Sequence, residues 1–383
     1  MRWFRPGAVA LMGAIVVVIA FTTLGTQQAH DAPVALAPSG SPAPGPLPTA
    51  LNGPAPPYNV YASTLDGSIS PTLAGVPERV YVPNSDTNTV FVIDPATFQV
   101  IDRYVSGPIP HHVAPAPDLQ SLYVDNEGGS NLTVIDPRSG KPTGHIPVPY
   151  PYNLYFTPDG TKAVDVVERL RRLDFFDAKT WKFLKTVDIP WAGADHMDFS
   201  ADGHYLYIST EYTGVLARVD TQTMELAGSV VVGGLPVDVR LAPDGKSMYV
   251  ANQGRHGVSV VDLEAMKEVA FIPTGLGAHG LQVSRDTRLL YVTNRLAGTV
   301  SVIEFATNRV VDLWKVGGSP DMLQLNPAGT QLWFSNRYGA SVTVVDTASG
   351  KVIRTIPVGA GAHGLTYFPN AGRTSLGHNG VYR

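Results

Sequence analysis

Tyr291-Val292-Thr293-Asn294-Arg295-Leu296-Ala297-Gly298-Thr299-Val300-Ser301-Val302-Ile303-Glu304 reads as two apolar, β-branched runs around a short polar loop, closed by an acid. Runs of this kind favour strands, and the Asn-to-Gly loop between them carries turn chemistry. The arrangement recurs along the chain. Copies start at Tyr81, Tyr123, Val164, Tyr207, Tyr249, Tyr291 and Trp333, spaced 42, 41, 43, 42, 42 and 42 residues apart. Thirteen positions after each start stands an acid: Asp94, Asp136, Asp177, Asp220, Asp262, Glu304 and Asp346. An Asp so placed accepts backbone N–H groups of the turn that follows, so these acids read as turn caps after a third strand. Pro158-Asp159-Gly160 and Pro243-Asp244-Gly245 mark tight turns elsewhere in the unit.

A period near 42 with four short strands per copy is the pattern of propeller blades, small antiparallel sheets stacked around a channel. The expected fold is all-β, a seven-bladed β-propeller of four-stranded blades. Inner strands are found about a dozen residues before each following repeat start. The last, near residues 363–368, has no repeat after it, and nothing before Tyr81 resembles an inner strand. The C-terminal strand is therefore expected to complete the first blade beside the strand at Tyr81. That closure removes free sheet edges, and a monomeric propeller is expected.

Tyr291-Val292-Thr293-Asn294, with Tyr249-Val250-Ala251-Asn252 and Tyr81-Val82-Pro83-Asn84, resembles the YVTN-type β-propeller repeat family over roughly residues 79–368. The resemblance implies relatives among surface-layer and other cell-surface proteins, lactonase-like hydrolases and the haem-d1-binding propeller of a nitrite reductase. Two copies depart from it. Val164 opens one that lacks the aromatic and has Val167 in place of Asn, and Thr210 replaces Asn in the next. Those blades are expected to be irregular.

The 383 residues are 44% hydrophobic and 16% charged, as in a folded, strand-rich protein. With a formal charge of -4 and no long Lys/Arg run, nucleic acid is excluded as an expected partner. The absence of cysteine rules out disulfides, thiolate metal sites, a Cys nucleophile, covalent c-type haem and a lipidated Cys. Arg2 and Arg5 precede an uncharged, largely apolar stretch at residues 7–24, the order of a secretory signal. The stretch is also about the 17–25 residues a spanning helix needs. Residues 1–30 read as a signal peptide or signal anchor, residues 31–57 as a Pro/Ala-rich extracytoplasmic linker, and residues 58–383 as the propeller. Under the positive-inside bias the propeller lies outside the cytoplasm, membrane-anchored or secreted.

Strand order places the inter-blade segments and the loops between second and third strands at one end of the channel. The inter-blade segments hold His111, His112, His196, His279 and His363, half of the ten histidines, together with Asp195, Asp238 and Asp321. Imidazole and carboxylate converging on one mouth suit a divalent transition metal (Zn, Cu or Fe) or metal-free acid–base work. The second loop set contributes Arg255, Arg295 and Arg337, suited to a carboxylate or phosphate on a ligand. His378 lies beyond the last strand, between Gly377 and Gly380, and reads as part of a loosely packed terminus.

Three functions fit this reading. The first is a surface-tethered propeller binding a small ligand, metal ion or partner such as a cell-envelope protein. The second is a lactonase-like hydrolase or lyase using the same face, and the third is a structural envelope protein. No Ser-His-Asp, phosphate-loop or dinucleotide motif singles out an enzyme class.

Overall fold

The computed structural model describes residues 58–383. The signal and linker expectations for residues 1–57 lie outside the described residues. Among the described residues no helix is long and apolar enough to cross a membrane. Seven four-stranded antiparallel sheets form the blades. Thr366–Phe368 pairs with Arg79–Asn84 as the innermost strand of the first blade, so the closure expected from the repeat register is observed. Trp333 from the seventh blade packs with Val80, Val82, Ile93 and Tyr367 of the first, sealing the ring with a fully buried indole.

Burial grades outward. All six residues are buried in the inner strands Pro110–Pro115, Ala194–Phe199, Pro236–Leu241 and Pro320–Leu325, whereas no residue of the outer strand Gln99–Val105 is buried. The recurring acids close the turn between third and fourth strands. Asp262 Oδ1, for example, accepts from the backbone N–H of Glu264 and Ala265 at 3.0 and 2.8 Å.

The inner strands carry an irregularity that sets up the channel. Pro110 pairs with Asn126 and Val113 with Val124, so two residues, His111 and His112, face one partner position, Asp125. The same shift falls at Asp195–His196, Val237–Asp238, His279–Gly280 and Asp321–Met322. A bulge breaks the alternation of a strand and re-aims its side chains, which allows neighbouring residues such as His111 and His112 both to take part in the channel. Hydroxyls two residues after a repeat start stitch two of the bulges. Thr293 Oγ1 accepts from Gly280 N–H (2.8 Å) and donates to the Asp321 carbonyl (2.6 Å), and Ser209 Oγ donates to the Val237 carbonyl (2.5 Å).

Asp125 occupies that stitching position in the second blade, fully buried and with both carboxyl oxygens unpartnered. Burial raises its pKa well above the usual carboxylate range. Protonated, it keeps an O–H donor where the fourth, sixth and seventh blades have Ser209, Thr293 and Ser335. Because the folded state holds this proton and the unfolded chain releases it near pH 4, Asp125 favours folding fully below that pH and progressively less as pH rises toward the folded pKa. Asp125→Asn is therefore expected to raise Tm by a few degrees at pH 8 and to leave it nearly unchanged at pH 4; thermal melts across that range check it.

The far end of the channel is closed by both ends of the described chain. Tyr61 donates to the Leu241 carbonyl at 2.8 Å, and Ile69 bridges to Ala371 and Gly372. The tail turns back on itself, with Ser375 paired to Tyr382, and Arg383 forms an ion pair with Asp198 at 2.5 Å. The expected loose terminus is instead folded in: Leu376, His378 and Tyr382 are all buried. Gly377 permits this at φ +90, since a Cβ there would lie 2.4 Å from the Leu154 carbonyl oxygen.

Candidate functional site: a histidine cluster below a polarised mouth

Twelve residues before the second to seventh repeat starts stand His111, Tyr152, Asp195, Val237, His279 and Asp321, and His363, 42 residues after Asp321, takes the equivalent place in the closing segment. Six of these, all but Asp321, line one cavity of about 230 Å³. Beneath them lie His112 and His196. The tail adds His378 from the far end, a residue outside the repeat register and so without a periodic signal to announce it. Ring centroids are 4.0 Å apart for His111 and His363, 4.8 Å for His112 and His363, 5.2 Å for His112 and His196, 5.0 Å for His112 and His378, and 4.6 Å for His196 and His378.

Four of the rings have Nδ1 beside an oxygen, whereas His111 Nδ1 is buried 3.4 Å from Glu127 Oε2 without a hydrogen bond. His112 Nδ1–H donates to the Tyr152 carbonyl at 3.0 Å, and His363 Nδ1 lies 2.5 Å from Asp321 Oδ2. His196 Nδ1 lies 2.6 Å from Asp195 Oδ1, and His378 Nδ1 lies 3.0 Å from Asn153 Oδ1. The other nitrogen, Nε2, of His112, His196 and His363 is buried without a partner. Two sets of three bring ligand nitrogens within 4.8 Å of one another: His111–His112–His363 and His112–His196–His378.

The electrostatics favour neutral rings in most of the cluster. Burial, and then the neighbouring His363, hold His111 and His112 well below the usual histidine range. His363 is pushed down to about 3 by burial, against the pull of Asp321. Burial and then His196 lower His378. His196 differs: burial opposes its charge, but Asp195 outweighs it and the pKa rises. Behind the rings, Asp321 is held well below the carboxylate range because Arg295, His279 and His363 outweigh its burial.

The remaining candidates sort by their contacts. His279 has Nδ1 3.0 Å from Asp321 Oδ1 and Nε2 occupied by the Arg295 guanidinium, so its Nε2 is taken, and the ring belongs to neither converging set. Asp321 orients His363 and His279 and accepts from Arg295. Asp238 is a strap: it accepts from the backbone N–H of Val239 and Leu281 and from Arg240, and Oδ1 comes no nearer than 3.9 Å to His378 Nε2. Arg295 and Arg337 line the cavity. Arg255 does not. It sits two positions further along its loop and turns outward to Glu268 at 2.7 Å, over the Phe271 ring, so its expected place on the rim is corrected. His111, His112, His196 and His279 belong to the inner strands, and His363 precedes the strand Thr366–Phe368.

The mouth contains residues that the reading of histidines and arginines passed over. Four positions after each repeat start stand Ser85, Glu127, Glu168, Glu211, Gln253, Arg295 and Arg337. Glu127, Glu168 and Glu211 line the cavity with Tyr152 and Tyr212. The two blades that depart from the repeat asparagine carry short 3₁₀ turns, Glu168–Leu170 and Glu211–Thr213, which present two of these acids. Burial, then Asp195, pushes Glu211 up to about 7, and burial raises Glu127 and Glu168. The register that revealed the blades contained this arc as well.

A family profile described as YNCE-like beta-propeller matches residues 58–373. No curated protein matches the chain in sequence. Among solved structures, the periplasmic gluconolactonase PpgL of Pseudomonas aeruginosa is 19% identical, with a TM-score of 0.64 over 76% of this chain and 98% of that one. A putative 6-phosphogluconolactonase from Bacteroides uniformis is 16% identical, with a TM-score of 0.63 over 76% and 99%. The dihydro-heme d1 dehydrogenase NirN in complex with DHE is 16% identical, with a TM-score of 0.59 over 84% and 78%. At these identities the likeness speaks to fold alone.

Proposed function

The chain belongs to the YNCE-like beta-propeller family, and from that premise we propose that it is an exported propeller whose channel holds one divalent first-row metal ion on buried histidines. One observation carries the metal reading. His112 and His363 each have Nδ1 fixed by an oxygen and Nε2 buried without a partner, and His196, with Nδ1 2.6 Å from Asp195 Oδ1, likewise buries a free Nε2. Metal-bound histidines are held in this way, the outer acceptor setting the tautomer and aiming the free nitrogen. Without an ion, each such nitrogen costs about 1–3 kcal/mol of unsatisfied burial. An all-imidazole set suits zinc, copper or iron, and the buried Asp195 and Asp321 behind the rings offset its charge.

A ring nitrogen has one lone pair, and His112 belongs to both sets of three, so its free nitrogen serves one ion at a time. The chelator-stripped full chain is expected to bind one Zn²⁺ or Cu²⁺ by calorimetry and to melt at higher temperature once loaded. Failure to bind either ion, or metal content unrelated to the chain, sinks the reading. Export is supported by Arg2 and Arg5 before the apolar stretch and by the Pro-rich linker. Cell fractionation checks it, and recovery of the full-length chain from the cytosol contradicts it.

Lactone hydrolysis is the alternative reading. It is favoured by the cavity that adjoins the histidines and by Glu211 lining it with a pKa near neutrality, as a general base requires. In that reading the histidine cluster would hold an ion able to act as a Lewis acid, Glu211 would take a proton from water, and Arg337 would hold a ligand oxygen. Turnover of glucono-δ-lactone that depends on Glu211 distinguishes it from binding alone.

A further inference from the structure

The mouth is electrically divided. Acids occupy the ring position in the second, third and fourth blades (Glu127, Glu168, Glu211), while arginines occupy it in the sixth and seventh (Arg295, Arg337). Neutral Gln253 and Ser85 separate the two arcs, and all five charged residues line the same cavity. Arg295 is committed to Asp321. Arg337 is not tied to an acid: its contacts are Ser85 Oγ at 3.3 Å and the Gly361 carbonyl at 3.0 Å. On the acid side, Asp195 is buried with Oδ2 unpartnered, and Tyr152 and Tyr212 place aromatic rings beside the carboxylates.

A hard metal ion does not explain the acid arc. Among the described residues, the sets whose ligand atoms converge within 4.8 Å are the two histidine sets, and no mouth carboxylate belongs to either. Carboxylates spread around an arc with aromatic rings between them suit an organic ammonium, which is bulky and interacts with ring faces. An arginine opposite suits a carboxylate. The cavity, about 230 Å³, falls below the roughly 300–1,000 Å³ of drug-sized sites.

We propose that this mouth binds a small amino-acid-like zwitterion, its ammonium held by Glu168, Glu211 and the tyrosines, and its carboxylate by Arg337. The site lies above the histidine cluster and does not require an ion within it.

The test uses chelator-stripped full chain at pH 8, where Glu211 is ionised. Calorimetric titrations compare glycine, 4-aminobutyrate and 6-aminohexanoate, which differ in charge separation, with butylamine and butyrate. One of the amino acids is expected to bind at least 10-fold more tightly than either single-charge probe. The double variant E168Q/E211Q is expected to weaken that amino acid and butylamine at least 10-fold while leaving butyrate unchanged. R337Q is expected to weaken the amino acid and butyrate and spare butylamine. Equal binding of single-charge probes, no binding across the series, or variants that weaken both single-charge probes alike overturn the proposal. A chain that takes up zinc but no amino acid defeats this inference alone; one that binds an amino acid but no metal defeats the metal reading alone.

Discussion

His112→Ala is expected to lower zinc affinity at least 100-fold, the largest effect of any single substitution in the channel. His112 is the one ring common to both converging sets, so its loss leaves neither with three nitrogens. His112→Gln keeps polar bulk at the bulge and guards against a folding defect; it is expected to lose the ion equally. Two controls set the scale. His279→Ala should weaken binding less than 10-fold, since both ring nitrogens already face Asp321 and Arg295. His204→Ala should have no effect, because that ring stacks on Tyr205 and pairs with Asp220 away from the channel. Calorimetry on the four variants is sufficient, and wild-type affinity in both His112 variants would remove the cluster from any metal role.

Ending the chain after Arg373 is expected to be the most destabilising change of the set. The tail buries Leu376 and Tyr382 and supplies Gly380, whose carbonyl accepts from Gln324 at 2.8 Å. Two such side chains are worth about 3–6 kcal/mol at roughly 1.5–3 kcal/mol each, enough to lower Tm on the order of 10 °C. Thermal melts check this. The truncated chain also loses His378, and with it the second set of three, while His111–His112–His363 survives. Residual zinc binding in the truncated chain, absent from its His112→Ala version, would separate the two sets.

The repeat register made the fold legible: seven starts at nearly constant spacing gave blade number, strand order and ring closure, all observed. The same register placed His111, His196, His279 and His363 at one end of the channel, because equivalent positions in a ring converge. It did not distinguish ligand from support. His279 and His196 look alike in sequence, and only the structure shows that the Arg295 guanidinium takes Nε2 of His279 and that this ring joins neither converging set. Arg255 was misplaced because a two-residue offset within a loop reverses its direction. His378 was hidden for a different reason. It lies outside the periodic part of the chain, and its burial depends on tertiary contacts of a tail that carries no strand pattern. The acid arc was legible but unread, since the comparison stopped at histidine and arginine.

X-ray absorption at the zinc edge of the zinc-loaded full chain tests the central claim most directly. An ion on this cluster should show a shell of nitrogen at about 2.0–2.1 Å with imidazole outer-shell scattering from at least three rings, and His112→Ala should abolish it. A shell of oxygen with no imidazole scattering, or an imidazole signal that persists without His112, would place the ion elsewhere and contradict the account.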